Sequence, residues 1–193
     1  TLIIEGNGNM IDYNTDDNLP PWYDYRTLIQ DVELPDDITS LGTFAFYQCS
    51  NLQTILIPFK ITDIPVGLFK DCTSLESIDF LCNLKSIGSG SFSYCTNLIN
   101  ITIPDAVESI GSSAFSYCTS LINITIPAKV TTITSYLFQE CEELISVEFF
   151  GKVTTIEANA FIGCIRLKII ELPDSIESIG DGTFYECISL KTI

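Results

Sequence analysis

Apolar residues recur along this chain with a step of 23. Phenylalanine stands at Phe46, Phe69, Phe92, Phe115, Phe138, Phe161 and Phe184. Three residues on come Cys49, Cys72, Cys95, Cys118, Cys141, Cys164 and Cys187, and three further on come Leu52 to Leu190 in the same seven steps. Four more apolar columns keep the register: Ile55 to Ile193, Leu34 to Leu172, Ile38 to Ile176 and Leu41 to Ile179. Within one period, Ile124 and Ile126 alternate with polar neighbours, which predicts a short strand with these two facing inward. Proline ends that strand at Pro35, Pro58, Pro104, Pro127 and Pro173, because it has no N–H for a ladder. Val130 to Ile133 predicts a second extended stretch. The three-residue spacing from Phe to Cys predicts a single helical or 3₁₀ turn. A unit this short cannot bury its apolar side alone. Its copies must therefore stack, with equivalent strands paired into one parallel sheet about 4.8 Å apart.

The pattern L-x-x-I-x-I-P followed by V-x-x-I-G-x-x-A-F-x-x-C resembles the BspA-like leucine-rich repeat of bacterial surface proteins. The resemblance extends over about residues 29–193. It implies an α/β leucine-rich-repeat solenoid, right-handed and curved. Its parallel sheet of short strands would line the concave face, with 3₁₀ or helical turns on the convex side. It also implies a secreted or surface-anchored protein used in adhesion or protein binding. The departures are local. Pro65, Thr134 and Glu157 replace the glycine of Gly42, Gly88, Gly111 and Gly180, while Leu81 and Phe150 replace the strand-ending proline.

Residues 32–193 accommodate seven such repeats. Residues 1–31 are expected to form an N-terminal cap: a strand at Thr1 to Glu5, a turn at Gly6 to Asn9 in a hairpin-like arrangement, and a half repeat. In that half repeat Tyr23 falls in the Phe46 column, Arg26 in the Cys49 column and Ile29 in the Leu52 column. Lys191-Thr192-Ile193 opens a further strand. The C-terminal end therefore reads as uncapped: either the chain continues, which is the preferred reading, or a partner or another copy covers this end.

Composition narrows the function. The chain has 193 residues, 25 acidic against 9 basic side chains, a formal charge of −16, and no histidine. A charge this negative argues against nucleic acid as a partner, since phosphate binding requires clustered Lys and Arg. It argues likewise against an electrostatic hold on a membrane. Histidine-based nucleophilic sites and histidine-ligated metals cannot be built. No apolar run approaches the roughly 20 residues of a membrane-spanning helix. The start at Thr1, without a basic leader, reads as a mature terminus or a segment boundary.

Structural thiols, a disulfide ladder and metal sites compete for the cysteines. An odd number of equivalent cysteines cannot pair off, and equivalent Cβ atoms in a parallel stack run alongside rather than converge. Buried thiols with weak S–H donors are the preferred reading. Cys82 lies off the ladder and is expected to be more exposed. Glu148 and Glu171, one repeat apart and near 5 Å by strand spacing, have the separation of a carboxylate pair, but a shallow face gives no desolvation to separate their roles. Asp12-x-Asn14-x-Asp16 resembles the start of a calcium loop; with Asp17 and Tyr23 where glycine and glutamate are required, turn formation is the better reading. Asn100-Ile-Thr102 and Asn123-Ile-Thr125 match the glycosylation acceptor pattern in predicted strands.

What remains is the outward side of the strands. Asn100, Thr102, Asn123 and Thr125 give it a neutral centre, and Asp79 and Glu148 give it acidic flanks. This face is the candidate protein-binding surface of a non-catalytic module with no cofactor, no metal and no membrane insertion. The expected partner is a host or neighbouring-cell surface protein, and the expected location is outside or on a bacterial cell. A structural spacer is the alternative. A carbohydrate-binding surface would require a row of aromatics, for which Tyr47, Tyr94, Tyr117 and Tyr185 are the candidates.

Overall fold

The computed structural model describes residues 1–192; Ile193, the last member of its column, lies outside them. Two rows of short parallel strands run along the coil. In the first row β1 (Leu2–Ile3), β3 (Asp31–Glu33), β5 (Thr54–Ile57) and β7 (Ser77–Phe80) form one sheet, and β10 (Asn123–Ile126) and β12 (Ser146–Phe149) form another. In the second row β2 (Gly8–Asn9) pairs with β4 (Ile38–Ser40). There β6 (Asp63–Ile64), β8 (Ser86–Ile87) and β9 (Ser109–Ile110) form a second group, and β11 (Thr132–Ile133), β13 (Thr155–Ile156) and β14 (Ser178–Ile179) a third. The register is the sequence period: Ile55 lies opposite Ile78, Ile124 opposite Val147, and Ile64 opposite Ile87.

The phenylalanine column is the axis of the core. From Phe46 to Phe184, successive ring centroids are 5.3 to 5.9 Å apart in stacked geometry. Phe46 through Phe161 are completely buried. At the N-terminal end Trp22, rather than Tyr23, continues the stack, 6.0 Å from Phe46, and its indole N–H donates to the Ala45 carbonyl at 2.8 Å. Tyr23 instead lies beneath the Arg26 guanidinium, 3.9 Å from its ring centroid.

The segments from Phe to Cys are not helical. The one helix among the described residues is a 3₁₀ helix at Tyr23–Leu28, so the expected α/β mixture reduces to strands and turns. The turns place two residues per repeat in the left-handed region, for example Phe44 (φ 52°) and Gln48 (φ 59°), or Ser113 (φ 57°) and Tyr117 (φ 60°). That conformation costs a non-glycine residue about 1–2 kcal/mol. It is held because the amides of residues 44, 46 and 48 donate to the carbonyls of Val66, Leu68 and Lys70 in the next coil, and the coils that follow repeat the arrangement as far as residues 159, 161 and 163. Helical backbone would turn those N–H groups along its own axis and leave the stack unbonded on this side.

One position in this tightly packed side is poorly filled. Ser91 is fully buried and its hydroxyl has no hydrogen-bond partner, whereas Ala45, Ala114 and Ala160 occupy the equivalent place in other coils. Ser91→Ala is expected to stabilise the protein by about 1 kcal/mol, because it removes the desolvation penalty of an unpaired hydroxyl. A higher midpoint in urea denaturation, at unchanged slope, is the expected readout.

Two expectations are corrected by the strand pairing. First, the N-terminal segment is not a hairpin. Gly8–Asn9 is a strand rather than a turn, and both β1 and β2 run parallel to their partners. Leu2 pairs with Val32 and Thr39 bonds Asn9 at a separation of 30 residues, where Trp22 meets Ala45 at 23. The seven extra residues fall between Tyr13 and Trp22, in the Asn14 loop. Second, the first row is not one continuous sheet. Among the described residues no strand pairs with the far edge of β7 or of β12; residues 100–103 lie outside any strand, and Ile169 makes only an isolated bridge to Thr192.

Both breaks follow a coil that lacks the proline. In the other coils the amides of Ile38, Ile61, Val107, Val130 and Ile176 close a turn on the carbonyls of Pro35, Pro58, Pro104, Pro127 and Pro173. At Leu81 and Phe150 the backbone has an N–H to give. It donates to Ile57 and Ile126 in the preceding coil, at 3.1 and 3.0 Å.

Candidate protein-interaction face

The strand row exposes alternate side chains because its inward positions, Ile55, Ile78, Ile101, Ile124 and Val147, are all buried. Asp79 in β7, Asn123 in β10 and Glu148 in β12 are exposed, and Thr125 is half-buried. The Asn123 Oδ1 accepts a hydrogen bond from the Ser146 hydroxyl at 2.7 Å, which holds the amide flat across two strands. Asn100 and Thr102 are exposed as well, but on the unpaired segment between the two sheets. The centre of the expected face is therefore a break in the ladder, not its most regular part. A cleft of about 320 Å³ lies there, between residues 100–105 and 123–125, with Phe150 at its end.

Alternation along the strand already turns Leu56 outward, but sequence reasoning missed Phe59, Leu81 and Phe150 as apolar members of this face. Leu56, Phe59, Leu81 and Phe150 are 48%, 58%, 62% and 60% exposed. The available signal was the replacement of proline at 81 and 150. A large apolar side chain where the repeat asks only for a turn residue has no core to enter.

Other candidates take definite places. Glu148 and Glu171 do not stand in adjacent paired strands, because β12 is unpaired on that side among the described residues. They line a cleft of about 480 Å³ that also contains Lys168 and Ile169. In the Asn14 loop, the Asn14 Oδ1 accepts from the backbone amides of Asp16, Asp17 and Asn18 at 2.9 to 3.0 Å, while the Asp12 Oδ1 accepts from the Thr43 amide at 2.9 Å. These oxygens close the turn. Tyr94 and Tyr117 stack on each other at 4.4 Å, so each ring has one face covered. Neighbouring coils are also tied by charge: Lys129 bonds Glu108 at 3.0 Å and holds that carboxyl below its ordinary range, and Lys60 does the same to Asp37.

The ladder cysteines are free and buried. From Cys72 to Cys187, each thiol donates to the carbonyl of the phenylalanine 26 residues earlier, at 3.1 to 3.2 Å. The carbonyl equivalent for Cys49 belongs to Tyr23, which accepts from the Arg26 Nη1 at 2.9 Å. Burial pushes the Cys49 and Cys118 thiols up to about 12, and Cys72, Cys95 and Cys141 well above their ordinary value. Thiolate is the reactive form. Titration of the native protein with a thiol reagent is expected to modify Cys82, which is only half-buried, and to reach the six ladder cysteines from Cys49 to Cys164 only after denaturation; at the end of the ladder a hydrogen bond with Cys164 lowers the Cys187 thiol, which is expected to react before those six. Disulfides between consecutive repeats in native mass spectra would contradict this.

The family model that matches is the BspA type leucine rich repeat region, with six copies over residues 23–145 and 131–193. The chain belongs to the BspA-type leucine-rich-repeat family. Its coil resembles the leucine-rich-repeat protein TpLRR of T. pallidum, with a TM-score of 0.82 and 29% identity over 96% of this chain and 84% of that one. It also resembles a leucine-rich cell surface protein of Faecalibacterium prausnitzii, with a TM-score of 0.64 and 28% identity over 99% of this chain; it spans 48% of that protein's length. The pneumococcal vaccine antigen PcpA shares the fold, with a TM-score of 0.57 and 18% identity over 77% of this chain and 35% of its own. Among curated proteins none matches in sequence. A BspA-type repeat coil is a scaffold for protein interaction, built from units that contact only their neighbours and so present one extended surface. Among the described residues no helix is long and apolar enough to cross a membrane.

Proposed function

We propose that this coil is a non-catalytic binding module of a bacterial secreted or cell-surface protein, and that it mediates adhesion by gripping a partner protein with its strand face. The observation that carries the reading is the composition of that face. Short polar side chains at Asn100, Thr102, Asn123 and Thr125 lie between exposed apolar ones, Leu56 and Leu81 in the coils before and Phe150 in the coil after, and Asp79 and Glu148 flank them. Ordering Asn or Thr loses less side-chain entropy than ordering Lys or Glu. Exposed aromatic and aliphatic groups supply the contact area of an interface centre. The likeness to a cell surface protein of F. prausnitzii supports the location. With a net charge of −16, the face favours a basic partner.

Probing an array of extracellular and surface proteins with the purified domain tests the reading. Association with a genuine partner is expected to slow as salt rises from low to physiological strength. It is also expected to require an unaltered strand face. Binding that ignores substitutions on this face would place the working surface elsewhere.

A further inference from the structure

Two clefts on the strand face are one site built twice. The first, of about 310 Å³, is lined by Leu34, Asp36, Leu56 and Leu81. The second, of about 320 Å³, is lined by Ile103, Asp105, Thr125 and Phe150. Each residue of the second set stands 69 positions beyond its counterpart, which is three repeats of 23 (103 − 34, 105 − 36, 125 − 56, 150 − 81). Leu81 and Phe150 form the walls, the two positions where an apolar side chain replaces proline. They are 62% and 60% exposed. Each cleft sets this exposed apolar wall beside an exposed carboxylate, Asp36 or Asp105. That pairing suits an apolar side chain with a neighbouring cation.

The spacing defines the ligand further. Three coil steps, about 4.8 Å each where strands pair and 5.4 to 5.7 Å along the phenylalanine column from Phe46 to Phe115, separate the clefts by about 14–17 Å. An extended peptide rises about 3.3 Å per residue, so about four to five residues span that distance, and of these only i and i+4 point to the same side. Between the two clefts lies segment 100–103, where the exposed side chains of Asn100 and Thr102 can donate to and accept from the backbone of an extended peptide that crosses the coils.

We propose that the strand face binds a single extended peptide segment whose large apolar residues, four apart and each flanked by Lys or Arg, enter both clefts together. This rests on the strand face being the binding surface. Engaging two equivalent clefts at once gives the segment an avidity that neither site has alone.

Fluorescence anisotropy with short labelled synthetic peptides tests it. The matched probe carries Leu or Phe at i and i+4 with adjacent lysines. Control peptides move the second apolar residue to i+3, which turns it to the opposite side, or replace lysine by glutamate. The matched peptide is expected to bind at least about tenfold tighter than either control. Leu81→Ser and Phe150→Ser are each expected to weaken it by about tenfold, and the double variant to remove binding. Leu81→Pro and Phe150→Pro, which restore the residue of the other coils, form a second pair should the serine variants fold poorly by circular dichroism. Absence of binding by the matched peptide, equal binding of the i+3 control, or full binding to the folded double variant would overturn the inference. If the double variant binds normally while Asn100→Arg/Asn123→Arg does not, the clefts are wrong and the face stands. If neither variant matters, both are wrong.

Discussion

Phe115→Ala is expected to lower stability by roughly 3–5 kcal/mol, the range found when a buried phenylalanine is truncated without collapse of the space it leaves. Phe115 is fully buried and stacked on both sides, 5.4 Å from Phe92 and 5.9 Å from Phe138. Its loss interrupts the aromatic column in mid-coil and weakens two interfaces at once. Collapse is hindered because the backbone on either side is fixed: the Phe115 amide donates to Leu137, and its carbonyl accepts from the Cys141 thiol. Phe184→Ala gives the contrast. Phe184 is only half-buried and stacks on Phe161 at 5.6 Å near the end of the described coil. Truncation there is expected to destabilise by about half as much or less, since a terminal coil frays with little effect on its neighbours. Equal losses from urea denaturation would contradict a coil whose units couple only to their nearest neighbours.

Asn100→Arg/Asn123→Arg is expected to reduce binding of any strand-face partner by more than about tenfold, which corresponds to about 1.4 kcal/mol or more. Both asparagines are exposed and line the cleft closed by Phe150. Two arginines add bulk there. They also raise the local charge where a basic partner needs it negative. The Ser146 hydroxyl loses its acceptor on Asn123, an exposed bond whose absence water makes good. The core residues beneath, Ile101 and Ile124, are untouched, so the circular dichroism spectrum and denaturation midpoint are expected to change little. Calorimetric titration of the variant against a confirmed partner reads the effect. Unchanged affinity would move the site to the turn side.

How much of this was legible in the sequence follows from the range of each interaction. The 23-residue columns gave the coil, its core and its pairing register, because a stacked repeat buries each apolar position against its own copy. Ile55 opposite Ile78 and Phe92 on Phe115 restate the period in space. The buried thiols followed from the same logic. Local backbone choice did not. Three-residue spacing between Phe and Cys fits a helical turn equally well; the left-handed residues at 44 and 48 were selected by amide bonds to a coil 22 residues on, which composition does not encode.

The N-terminus and the strand face were likewise decided by tertiary structure. Sequence register placed Tyr23 on the phenylalanine axis, but the larger and less polar Trp22 takes the stacking position and frees Tyr23 to lie against Arg26. The first coil was hidden because its period is 30 rather than 23, and the added residues close on themselves through Asn14. The replacements at Leu81 and Phe150 were visible as departures from the repeat. Only the fold shows that they bond the preceding coil and leave two like clefts, since a lost proline restores an N–H whose partner lies in another coil.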